Sequence, residues 1–167
     1  GNQSTMFALG DDITISNQSS SSSFFGRKIV SSGNSPSAFA MGDNVRLTST
    51  NTSAFVMGKN ITLSNTNSGA VSFGQNIYMS GSNSGLALGT NVDVSKSGTA
   101  IGKSVSAGSG VAIGRNVSST HSSSHTGVAI GHNVKGLRGA LAIGQTIPSA
   151  GRNSVAIGHS LTGVGRS

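Results

Sequence analysis

A chain of 167 residues with no cysteine has the length of one domain, and neither disulfide stapling nor thiol chemistry is open to it. Charged residues make up only 9%, with four aspartates and no glutamate, so there is little from which to build a carboxylate acid–base pair. The net charge is +7, no stretch approaches the ~18 apolar residues of a membrane span, and no charged-then-apolar leader opens the chain.

In chain order the pattern is already running at Gly1-Asn2-Gln3, so the chain is expected to be a piece of something longer. Its export signal and anchor would lie elsewhere. Turn glycines recur at Gly10, Gly26, Gly42, Gly58, Gly74, Gly89, Gly102, Gly114, Gly131, Gly144 and Gly158, spaced 16, 16, 16, 16, 15, 13, 12, 17, 13 and 14 residues apart. Repeats of this period indicate a solenoid. The residue before each glycine is large and apolar, from Leu9 to Ile157, and so is the residue three after, from Ile13 to Leu161. Three before, only Ser23 and Thr99 break an apolar column, and two before, alanine fills eight of eleven rows.

A single unit shows the physics. In Gly110-Val111-Ala112-Ile113-Gly114-Arg115-Asn116-Val117, alternation points Val111 and Ile113 to one face and Ala112 to the other. Gly114 supplies the positive φ of a sharp reversal, and Asn116 tolerates the same region. The corner never changes length, whereas the other connection does, so each unit reads as a coil of two strands with one fixed and one variable corner. Residues 1–84 hold divergent sixteen-residue units joined by Ser/Thr/Asn-rich stretches. Residues 85–167 settle into shorter Val-Ala-Ile-Gly units, apart from the long loop Ser118–Thr126. No window has helical periodicity.

The expectation is an all-β, parallel β-roll or solenoid of about eleven two-stranded coils, one domain over residues 1–167. Stacked at ~4.8 Å, eleven rungs make a rod of roughly 50 Å. The three large apolar columns are expected inside, and the alanine column outside as a flat strip. A thin roll buries little per rung, so chains are expected to associate through that strip, with Ala87, Ala100, Ala112, Ala129, Ala142 and Ala156 facing a partner.

The rows Asn153-Ser154-Val155-Ala156-Ile157-Gly158, Gly127-Val128-Ala129-Ile130-Gly131 and Gly110-Val111-Ala112-Ile113-Gly114 resemble the head repeat of trimeric autotransporter adhesins, the YadA-like head. The likeness is strong over 85–167 and looser over 1–84, where rows such as Ala54-Phe55-Val56-Met57-Gly58 depart from it. The resemblance implies a left-handed roll, a side-by-side homotrimer, and display on a bacterial surface at the tip of a stalk on an outer-membrane barrel. It also implies adhesion to host cells or to matrix proteins such as collagen, fibronectin or laminin. Handedness and the number three come from the resemblance alone. The alternative reading is a fibre or spacer segment, as in a phage tail fibre, with no ligand of its own.

Chemistry other than binding finds little support. Gly108-Ser109-Gly110 with Gly114 only faintly echoes a dinucleotide fingerprint, with wrong spacing and no helix to follow. His121 and His125 have a spacing that suits zinc on a helix, but they sit in a serine-rich loop without a third ligand. No catalytic residue, metal or cofactor is expected. Charge is more telling. Residues 1–93 balance Arg27, Lys28, Arg46 and Lys59 against four aspartates, while residues 94–167 carry seven cations and no acid. Lys103, Arg115, His132 and His159 follow turn glycines and should stack along one edge; Lys135, Arg138 and Arg152 add to the same half. These residues form a candidate basic ridge for anionic glycans or acidic stretches of matrix proteins. With one tyrosine and few aromatics for base stacking, nucleic acid is not an expected partner.

Overall fold

The computed structural model describes residues 5–16, 21–33, 37–48, 51, 53–65, 68–81, 84–119 and 126–162. Among them there is no helix. Eleven strands, β1 (Met6–Ser16), β2 (Ser22–Ser32), β3 (Phe39–Thr48), β4 (Phe55–Ser64), β5 (Val71–Ser80), β6 (Leu86–Ser95), β7 (Thr99–Ala107), β8 (Val111–Ser119), β9 (Val128–Gly136), β10 (Leu141–Ala150) and β11 (Val155–His159), pair in parallel in sequence order. The result is a β-solenoid in which each strand touches only its sequence neighbours.

The glycine alignment read from the sequence is the hydrogen-bond register. Gly10 pairs with Gly26, Gly26 with Gly42, and so on without a slip to Gly144 and Gly158. The two strands expected per coil are one strand with a bend in it. Pairing runs through the corner, as in Lys103↔Arg115 followed by Val105↔Val117, and skips only the residue between. That skipped residue is left-handed in every rung; Asn116 has φ of 54° and Asn60 the same.

Positive φ explains only part of the glycine column. At Gly58, where φ is 140°, an added Cβ would run into the carbonyl oxygen of Gly74 on the next rung. The corner backbones lie against each other, and only hydrogen fits between them.

Which face is inside differs from the expectation. The column two before glycine is interior: Phe24, Ala40, Val56, Ala87, Ala100, Ala112, Ala129, Ala142 and Ala156 are all buried within the single chain. Ala87, Ala100, Ala112, Ala129, Ala142 and Ala156 therefore line the roll's own core and form no outer strip. They share that core with the column three after glycine (Ile29, Val45, Ile61, Ile77, Val92, Val105, Val117, Val134, Ile147) and with Leu47, Leu63, Met79 and Val94 two residues further on. Conversely, the large residues three before and one before glycine point outward, half-buried or exposed. The reason is geometric. Alternation puts those two columns on the same face, so both go in or both stay out. A coil of 12 to 17 residues leaves a narrow interior. One small column facing Val and Ile fills it at normal density; two large ones would overfill it.

The interior narrows further where repeats shorten. Five after glycine stand Leu47, Leu63, Met79 and Val94, then Ala107, Ser119 and Gly136 in the shorter or looped units. Rung two carries Phe24 where most rungs carry alanine, and Ser31 where its neighbours carry Ile15 and Leu47, so volume is roughly conserved. At Pro148 the β9–β10 ladder shifts register between Ile147 and Ala150, consistent with a residue that has no N–H to donate.

Candidate functional site

The corner's exposed rim presents the residue after each glycine, and rung by rung these side chains become neighbours. In the first half the column reads Asp11, Arg27, Asp43, Lys59. Arg27 donates to Asp43 twice, Nε to Oδ1 at 3.2 Å and Nη2 to Oδ2 at 2.8 Å. This bidentate contact holds the Asp43 carboxyl below the ordinary carboxylate range and raises the Arg27 guanidinium. The pair is solvent-exposed, so it fixes side-chain geometry more than it stabilises the fold. Asp93 goes the other way. It lies on the outer face of the arm after the corner and reaches solvent, but adjacent rungs strip part of its hydration and push its carboxyl up.

In the second half the same column carries Lys103, Arg115, His132, Gln145 and His159, and no acid. Lys103 lies in register with Arg115, and Arg115 with His132. Arg115 Nη2 sits 2.8 Å from His132 Nε2. Since guanidinium only donates, the imidazole nitrogen is the acceptor in this contact. His159 continues the column one rung past Gln145, which interrupts it.

The seven residues expected to form one ridge thus fall in three places. Lys103, Arg115, His132 and His159 share the corner rim. Lys135 pairs with Ser118 on the outer face of the second arm. Arg138 and Arg152 lie in the variable connections, where Asn153 N–H donates to Arg138 C=O at 2.8 Å and so brings those connections together. His121 and His125 lie outside the described residues. Among the described residues no three His, Cys, Asp or Glu side chains gather as metal ligands would.

Beside the cations runs a feature that the sequence pattern carried but spacing arguments missed. The left-handed corner residues form an amide ladder: Asn44 Nδ2 donates to Asn60 Oδ1 at 3.0 Å, Asn60 to Asn76 at 3.0 Å, and Asn76 to Asn91 at 2.9 Å. Asn116 and Asn133 repeat it at 3.0 Å. The signal was the recurrence of asparagine two after glycine. The Asn116–Asn133 bond braces the rungs that carry Arg115 and His132, while Ser104 holds the same corner position on the rung of Lys103.

A second surface is larger and apolar. The outward columns three before and one before glycine run the whole length of the rod on its first arm. Five phenylalanines climb it, Phe7 to Phe25 to Phe39 to Phe55 to Phe73, with ring centroids 5.2, 5.7, 4.9 and 5.3 Å apart. The outer face of the second arm is instead mostly polar, carrying Arg46, Thr62, Tyr78, Ser106 and Lys135.

Searches against family models, curated proteins and solved structures find no match for this chain.

Proposed function

We propose that this chain is an attachment rod, the head of a bacterial surface adhesin of the trimeric autotransporter kind, displayed outside the cell. Its ligands are matrix proteins such as collagen, fibronectin or laminin, or anionic glycans. One observation carries the reading: Lys103, Arg115 and His132 stand in register on the corner rim, in a half of the molecule that has seven cations and no acid. Two cations held a rung apart, Lys103 and Arg115, with an imidazole beside them, bind a linear polyanion by weak contacts, each screened by salt, and further copies of the chain multiply those contacts. The head-like Val-Ala-Ile-Gly rows supply the surface display and the trimer.

The test is solid-phase binding of the purified chain to immobilised collagen, fibronectin, laminin and heparin, over a range of ionic strength. The expected result is salt-sensitive binding to at least one surface, weakened when Lys103→Gln and Arg115→Gln are combined. A chain that binds none of them is a spacer, and the attachment reading fails. Binding untouched by the double variant removes the rim as its cause.

A further inference from the structure

The outer face of the second arm carries two columns, four and six residues after the turn glycine. The first runs Arg46, Thr62, Tyr78, Asp93, Ser106, Ser118 and Lys135 in unbroken register. Between its two cations Asp93 is the one charge, set among hydroxyl groups. The second column adds Ser64, Ser80 and Ser95 beside it. Thr62 to Ser118 is four steps of ~4.8 Å, about 19 Å of surface, long enough for a short oligosaccharide.

Two side chains of this stretch have no role in the fold. Tyr78, the chain's only tyrosine, is 45% exposed, and Ser64 Oγ donates to its hydroxyl at 3.1 Å, which ties the ring toward the preceding rung. One rung on, in register with Tyr78, the Asp93 carboxylate makes no hydrogen bond or ion pair among the described residues. Neighbouring rungs nevertheless strip part of its hydration. A carboxylate in that position gains from donors that replace the water it has lost.

We propose that this stretch binds a neutral glycan, Asp93 accepting from two vicinal hydroxyls of one sugar and Tyr78 lying against an apolar C–H face of its neighbour. Charge selects the occupant. A carboxylate beside an aromatic ring also suits an ammonium group. Here Arg46 and Lys135 close both ends of the stretch and the chain carries +7, so a cation is repelled. A polyanion is opposed by Asp93. An uncharged ligand meets neither penalty, and its hydroxyls both donate and accept, as do those of Thr62, Ser80, Ser95 and Ser106. The site goes beyond the attachment reading, since it takes a different ligand on a different side of the roll from Lys103 and Arg115. An open face with one aromatic binds weakly at each site and gains from repeated display.

With one tyrosine and no tryptophan, the intrinsic emission reports Tyr78 directly. The full chain is titrated with maltotriose, cellotriose, mannotriose and galactobiose, read by tyrosine fluorescence and by saturation-transfer NMR to the sugar protons. At least one sugar is expected to bind with millimolar half-saturation that salt does not change. Asp93→Asn should weaken it roughly tenfold, the loss of one charge-assisted hydrogen bond. Tyr78→Ala should abolish the NMR transfer, and Tyr78→Phe, which keeps the ring, should retain it. The permethylated sugar, with C–H faces but no donors, should not bind. Combined Lys103→Gln and Arg115→Gln should leave sugar binding intact. No response to any of the four sugars overturns the site, and heparin binding by that same chain would leave the rim standing. Sugar binding that survives Asp93→Asn unchanged overturns the role of the carboxylate, and displacement by lysine amide reassigns the site to a cation and overturns the proposal.

Discussion

At Gly58 two demands meet: a backbone at φ of 140° and a neighbouring carbonyl that leaves no room for a methyl. Gly58→Ala is therefore expected to cost about 2–6 kcal/mol, backbone strain and overpacking together, measured by denaturant midpoint. Gly158 separates the two causes. It has φ of 145°, no rung stacks on it among the described residues, and an added Cβ would come no nearer than 3.6 Å to Leu161. Gly158→Ala should cost only the strain, about 1–2 kcal/mol. Equal losses at both sites would show that rung-to-rung approach does not matter. Ser72 makes the opposite case. It occupies the interior column where eight rungs have alanine, and its hydroxyl is buried without a hydrogen-bond partner. Ser72→Ala is expected to stabilise by about 1 kcal/mol, because it removes an unpaid desolvation and leaves the backbone unchanged. A destabilised variant would mean that the hydroxyl is satisfied.

At the level of the strand, the bend is made by a pair of residues, and the second of them braces its neighbours. Asparagine suits it twice over: it tolerates the left-handed region, and its amide both donates and accepts along the stack. Thr146 breaks the rule, a β-branched residue held at φ of 56° one rung beyond the amide ladder's last member, Asn133. Thr146→Asn should relieve that strain and extend the Asn116–Asn133 ladder by one rung, worth about 0.5–1.5 kcal/mol in thermal or chemical unfolding. No gain would mean that the ladder follows the corner without reinforcing it. The strand scale also explains a failed expectation. Alternation within Val111-Ala112-Ile113 was legible from spacing, but alternation says that two faces differ and not which is inside. Alanine's small size suggested an outer strip; in the roll, small size is what an interior opposite Val117 and Val134 requires.

For the whole molecule, single contacts matter less than stacking. Each rung meets only its neighbours, so stability accumulates along the rod and any surface feature repeated per rung becomes a stripe. Two stripes follow, the cationic rim and the apolar face, on different sides of one narrow roll. From the sequence alone came the all-β solenoid, the eleven-rung register and the charge asymmetry, because each is set by local chemistry: a glycine that must turn, an alternation that must pleat, a count of side chains. Only the folded roll decided that Ala87 and its equivalents lie within, that Phe55 and Ile113 face out, and that Lys135, Arg138 and Arg152 leave the rim of Lys103 and Arg115. Those outcomes depend on how much volume a closed coil can hold and where its variable corner runs, and no window of the chain contains either quantity.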